Sequence, residues 1–174
     1  MLNLIRQNEW GLLNIFPVSQ SITIFIGILL IDLDGYAGHI VVHKIPLFWR
    51  FHRVHHSDNE LDSTSSLRFH PFEILFQLVW RTVTFTALGI SLASFVIYLT
   101  FSIPLLFVQH ANIRFPKRFE RLAGWVLVTS SWHKVHHSDE QQYTDSHYSN
   151  VFTGFSVPII KMLKLKNLDW DSGN

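Results

Sequence analysis

The heptapeptide His52-Arg53-Val54-His55-His56-Ser57-Asp58 recurs, with one substitution, as His133-Lys134-Val135-His136-His137-Ser138-Asp139. In a helix, positions i, i+3 and i+4 share one face. Each copy of HxxHH is therefore expected to aim three imidazoles at a single point. The segment His39-Ile40-Val41-Val42-His43 adds two more at helical spacing. Imidazole is the commonest metal-ligating side chain, and eight in three spaced groups exceed what one ordinary metal site needs. A set of interfacial polar residues is the competing reading. It suits a lone histidine such as His147 better than three spaced clusters.

Composition narrows the metal chemistry. The 174-residue chain has no cysteine, which excludes disulfides, iron–sulfur clusters and thiolate zinc sites. The Glu-x-x-His pattern of soluble di-iron bundles and the HExxH of zincin proteases are both absent around the clusters. A structural zinc takes about four ligands, whereas eight or nine imidazoles support two metals, each with an open position. Nitrogen ligation leaves zinc, copper, nickel and iron open.

Other residues join as candidates. His110 offers a ninth imidazole, and His70 and His147 are further ones. Asn112 reads as a direct or water-mediated ligand or, better, as a helix C-cap. Asp32, embedded in an apolar helix end, is expected to accept the second N–H of a ligating imidazole. Asp34 fits that role or a helix end emerging into water. Asp58 and Asp139 fit as carboxylate partners of imidazoles or as exposed loop residues.

Hydrophobic residues make up 48% of the chain and charged residues 16%, below the soluble average of about 25%. Two apolar blocks stand out, at 15–43 and 71–109, and 82–109 carries no charge. A stretch of 18 or more such residues is a transmembrane candidate. As one helix, 71–109 would run about 58 Å, twice the roughly 30 Å of a bilayer core. Two passes with a turn near Leu88-Gly89-Ile90-Ser91 use that length. They also return the chain to its starting side, so that His56, His70 and His110 can meet. Three placements fit Arg81: snorkelling, facing the bundle interior, or marking a shallower re-entrant helix. Basic residues in 44–70 and 114–150 make the side holding the histidines cytosolic. Residues 1–10 lack the pattern of a cleaved signal peptide. A net charge of +1 without a long basic run speaks against a nucleic-acid partner. The chain reads as one domain over 1–174, with its core at 22–155.

The order and spacing of these residues resemble the fatty acid hydroxylase / sterol desaturase superfamily. The matching stretches are Asp32…Tyr36-x-x-His39-x-x-x-His43-x-x-Pro46-x-x-Trp49-Arg50-x-His52-x-x-His55-His56-Ser57, then Leu67-Arg68-Phe69-His70-Pro71-Phe72-Glu73. They continue as His110-x-Asn112-x-Arg114-x-Pro116 and as Trp132-His133-x-x-His136-His137-Ser138, with Thr144-Asp145-Ser146-x-Tyr148-x-Asn150 after them. Departures from the usual pattern are Ala37, His39-Ile40 and His147-Tyr148-Ser149-Asn150, and the chain is short for that family.

The resemblance implies an all-α, multi-pass membrane helical bundle whose cytosolic His-rich helical cap holds a dinuclear metal site. It implies two iron ions held by His39, His43, His52, His55, His56, His110, His133, His136 and His137. It further implies O2-dependent hydroxylation or desaturation of a fatty acyl or sterol-like lipid, in a bacterial inner membrane or the endoplasmic reticulum. Electrons would come from a donor such as cytochrome b5 or a ferredoxin, with NAD(P)H upstream. The alternative is a diverged, inactive member that binds metal or lipid in the membrane. A divalent-metal transporter fits less well, because 82–109 offers only scattered Ser and Thr along a membrane path.

Overall fold

A computed structural model of the chain describes residues 1, 10–58, 60–138 and 144–155. Among them the fold is all-helical, as expected. The helices are α1 (Gln20–Lys44), α2 (Pro46–His52), α3 (Pro71–Leu88), α4 (Leu92–His110), α5 (Lys117–Ala123) and α6 (Ser130–His136). Short 3₁₀ turns lie at His55–Ser57 and Ser63–Leu67. The β-pairing among the described residues is a lone antiparallel bridge between Leu127 and Phe152.

Proline and glycine set the helix limits. α1 ends at Lys44, because Pro46 disfavours helical backbone at Ile45, which is extended (φ −95°, ψ 116°). Pro46 then opens α2 at a position where its missing N–H is not needed. The same pair of effects acts at His70-Pro71, where His70 Nδ1 accepts the Phe72 N–H at 3.2 Å and caps α3. Gly89 ends α3 in the left-handed region at φ 76°. Ser91 caps α4 by accepting the Ser94 N–H at 3.1 Å. The chain thus reverses at 89–91, where the length of the apolar block requires a turn.

α1 packs against α2, α3 and α4, and α4 against α6. Gly27 lets α1 approach α4 closely, since a Cβ there would come within 2.9 Å of Ser94 Cβ. The interior has two unlike ends. Leu13, Ile31, Phe85, Ile90, Tyr98 and Val151 form an apolar core reaching the hairpin turn. The opposite end is rich in buried polar side chains, among them His43, His52, Glu73, His110, His133 and His136.

The outer faces are apolar. Phe25, Leu78, Val83 and Phe101 are 62–69% exposed, far beyond a scatter of single surface hydrophobics. α1 and α4 are long and apolar enough to cross a membrane, and only 28% and 17% of those spans is buried. α3, which carries Glu73, Gln77 and Arg81, is 18 residues long but is not among the helices apolar enough. The two passes expected from 71–109 are therefore met on composition by α4 alone. Gly89→Ala places a side chain in the left-handed region and is expected to destabilise the fold by about 1–2 kcal/mol. Thermal unfolding in detergent checks this.

Candidate metal centre

The structure gathers nine imidazoles into two groups. His39, His43, His52, His56 and His136 form one; His55, His110, His133 and His137 form the other. Within each group the candidate donor atoms lie within 4.8 Å of one another. The groups adjoin, with His56 and His137 stacked at 4.2 Å between ring centroids.

Neither HxxHH repeat converges on a single point, contrary to expectation. His52 and His56 serve the first group, and His55 the second. In the other copy His133 and His137 serve the second group, and His136 the first. Each repeat gives its i, i+4 pair to one group and its i+3 ring to the other. The physical reason is that both copies sit at a helix end: the first crosses a break in the helix, and the second runs through the last turn of α6 with His137 as its C-cap. α2 stops at His52 before a 3₁₀ turn at His55–Ser57, and α6 stops at His136. Rings that would share a face are splayed across two neighbouring points.

Oxygen acceptors orient the rings from behind. His39 Nδ1–H donates to the Tyr148 carbonyl at 2.9 Å, and His136 Nδ1–H to the Ser146 carbonyl at 2.7 Å. His110 Nδ1–H donates to the Leu106 carbonyl at 2.8 Å, one turn back in its own helix. His52 Nδ1–H donates to the buried Glu73 carboxylate at 2.7 Å. Asp145 lies 3.8 Å from His43 Nδ1, accepts from Tyr148 O–H at 3.0 Å and pairs with Lys44 at 2.9 Å. Such contacts fix the tautomer and leave Nε2 as the bare lone pair.

The consequence is clearest between His39 and His136. Both use Nδ1 as donor, so in the neutral rings neither Nε2 carries hydrogen. Yet the two Nε2 atoms face each other at 3.1 Å. Two acceptors at that distance repel unless a cation lies against both. With metal–nitrogen bonds of about 2.1 Å, donors at right angles stand about 3 Å apart. His110 Nε2 lies 3.2 Å from His55 Nε2 and 3.0 Å from His133 Nε2, the same spacing. His43 Nε2 and His52 Nε2 are buried without a hydrogen-bond partner among the described residues. This donor set fits metal cations.

Burial and mutual repulsion keep five of the rings neutral. Burial, and after it the neighbouring imidazoles, holds His55, His56, His133, His136 and His137 below the usual histidine range. Neutral imidazole is the form that binds metal.

A cavity of ≈ 340 Å³ reaches both groups, touching His39 and His52 of one and His55, His110 and His133 of the other. It runs between α3 and α4, past Ile74, Leu99, Ile103 and Leu106, as far as Gln77, Arg81 and Tyr98.

The fatty acid hydroxylase family model matches residues 24–156, most of the chain. The chain belongs to the fatty acid hydroxylase family. It is 26% identical over 146 residues to the alkylglycerol monooxygenase of Xenopus tropicalis, covering 83% of this chain and 31% of that protein. It is 26% identical over 118 residues to the cholesterol 25-hydroxylase of Rattus norvegicus, 66% of this chain and 39% of that one. It is 28% identical over 76 residues to the ornithine lipid hydroxylase OlsE of Rhizobium tropici, 44% of this chain and 23% of that protein. The chain thus spans well under half the length of these curated relatives. No solved structure matches it.

In this fatty acid hydroxylase-family chain several sequence candidates lie elsewhere. Asp32 touches no imidazole. Its carboxylate accepts from Tyr98 O–H at 2.7 Å and from the Val151 and Phe152 N–H groups at 3.0 Å each. It anchors the segment whose Ser146 and Tyr148 carbonyls orient His136 and His39. Asp34, also buried, stands beside Trp80 and Thr84. His70 belongs to neither group and caps α3. His147 belongs to neither group, sits at φ 56° and packs on Trp132 at 4.8 Å. Asn112 is exposed and accepts from Lys134 at 3.0 Å, while Ala111 occupies the C-cap of α4. Asp58 pairs with Arg68 at 2.5 Å. Asp139 lies outside the described residues.

Glu73 and Asp145 are partners of imidazoles that residue spacing did not single out. Both stand in quoted motif stretches, but each reaches its histidine from a distant segment, 21 residues away for Glu73 and His52. Glu73→Gln is expected to weaken metal binding by about 10–100-fold, read by metal titration.

Stability depends on pH with a definite sign. Five rings outside the long helices, three buried and two half-buried, stay neutral in the fold but protonate near pH 6.5 when unfolded. The unfolded state therefore binds more protons below that pH. Metal-free protein is expected to hold constant stability above about pH 7 and to lose it as pH falls from 6.5 towards 5. Each ring contributes up to about 1.4 kcal/mol per pH unit. Thermal unfolding midpoints across that range check it.

Proposed function

We propose that the chain is a membrane-bound, non-haem di-iron oxygenase that hydroxylates a C–H bond of a lipid. The observation that carries this reading is the pair of adjoining imidazole groups, both bordering one cavity between α3 and α4. Family membership favours lipid oxidation, since the relatives named above are a monooxygenase and two hydroxylases. The relatives' names point to a substrate of the kind of an alkylglycerol, cholesterol or an ornithine lipid.

One iron would be held by His39, His43, His52, His56 and His136, and the other by His55, His110, His133 and His137. Bound there, the two irons supply the redox chemistry that reduces O2 with two electrons. One oxygen atom enters the C–H bond as hydroxyl and the other leaves as water, taking up two protons. The protein's own residues do the rest. Glu73 and the Tyr148 and Ser146 carbonyls hold the Nδ1 hydrogens of His52, His39 and His136, so that each ring turns its Nε2 lone pair to the metal. The apolar walls, Ile74, Leu99, Ile103 and Leu106, take a hydrocarbon chain and keep bulk water from it.

The membrane carries the substrate to the site. With α1 and α4 crossing the bilayer and α3 beside them, the imidazoles would lie at one membrane face, where a lipid can slide in from the bilayer. Basic residues on that side, among them Arg50, Arg53, Arg68, Arg114, Lys117 and Arg121, favour a cytosolic placement. A soluble donor such as cytochrome b5 or a ferredoxin, with NAD(P)H upstream, would deliver electrons there. An inactive metal- or lipid-binding member remains the second reading, but no departure from the family pattern removes an imidazole from either group.

Iron-loaded protein given O2, a reductant and a lipid extract is expected to form hydroxylated lipid detectable by mass spectrometry. His136→Ala and His110→Ala, one from each group, should each lower product by more than about 100-fold, beyond what losing an outer carboxylate does. Full activity in both variants would exclude a dinuclear reaction centre.

A further inference from the structure

Arg81 is a charged side chain in the middle of α3, a helix whose outer face carries Leu78, Val79 and Val83 at 55–62% exposure. Glu73, Gln77 and Arg81 follow at i, i+4 and i+8 along one stripe, and all three line the cavity. Glu73 marks the imidazole end of that stripe through its contact with His52. Arg81 lies eight residues further on, about 12 Å along the helix axis. Among the described residues no carboxylate approaches its guanidinium within 4.0 Å. Asp34 feels its charge only from farther away. Arg81 is half-buried, and a cation at mid-length in an apolar helix that lines a cavity marks a functional position by default. Its five donors all seek acceptors, and the cavity is where a ligand can bring them.

We propose that Arg81, with Gln77, is a specificity-determining residue that binds an oxygen acceptor on the substrate. The substrate then carries a hydroxyl or carboxylate about 12 Å from the C–H bond that reaches the imidazoles. This rests on the cavity being the substrate's, as the proposed function has it. The geometry acts as a ruler: the oxygen group is fixed at Arg81, and the chain length between them selects the carbon that reacts.

The test is equilibrium binding of laurate, dodecanol and dodecane to the purified full chain in detergent. The three have equal chains and differ in the terminal oxygen group, so an anion is told apart from a neutral hydroxyl. Wild type is expected to bind one or both oxygenated ligands more tightly than dodecane. Arg81→Leu should erase that preference, by about tenfold to a hundredfold, the size expected for a hydrogen bond to a charged group. Its affinity for dodecane should be unchanged. Equal binding of all three ligands by wild type overturns the proposal, as does an unaltered preference in Arg81→Leu. Should Arg81→Leu fail to fold, Gln77→Leu decides: a smaller preference upholds the proposal and full retention overturns it. Binding is read without turnover. A chain that shows the preference yet forms no hydroxylated lipid upholds Arg81's role and overturns the oxygenase reading.

Discussion

Two bare imidazole nitrogens, His39 Nε2 and His136 Nε2, face each other at 3.1 Å in a buried site. Each is denied its hydrogen by a backbone carbonyl on the far side of its ring. Without a cation that contact is repulsive, and the same crowding repeats around His110. The whole polar end of the bundle is arranged to hold such contacts in place. Buried polar groups without partners are expensive in a fold. An interior that concentrates nine imidazoles therefore makes sense where metal supplies what the protein withholds. Metal affinity and fold stability are coupled as a result.

The bundle divides this work between its ends. At the hairpin turn, Leu13, Phe85 and Ile90 give the helices ordinary apolar packing. At the other end α1, α2, α4 and α6 contribute imidazoles from segments far apart in sequence. Asp32 connects the two ends. By accepting from Tyr98 and from the backbone at 151–152, it ties the C-terminal segment to α1 and α4. Gln109 adds a second tie, donating to the Val128 and Asn150 carbonyls at 3.0 and 2.7 Å. The carbonyls of 146 and 148 are thereby delivered to His136 and His39, so ring orientation depends on residues that never touch a ring.

Much of this was legible in the sequence, and the limits are instructive. Helical content, the turn at 89–91 and the gathering of three His clusters follow from periodicity, block length and spacing. The division of each HxxHH between two groups does not. Local spacing describes one helix, and both repeats sit where a helix stops. Asp32 shows another limit. Its depth in an apolar helix marks it as important, but a carboxylate can satisfy itself on backbone N–H groups as well as on an imidazole. Glu73 and Asp145 meet their histidines only through tertiary packing, which spacing cannot encode. Arg81 left three placements open, and its position on the cavity wall fits the one facing the bundle interior.

The central claim is that the two imidazole groups hold two separate metal ions. Metal analysis of the full chain, purified after expression with iron, tests it most directly when paired with X-ray absorption at the iron edge. Two irons per chain with shells dominated by nitrogen are expected, falling to one when His136 is replaced in the first group or His110 in the second. One ion per chain, or a stoichiometry indifferent to both replacements, would contradict it.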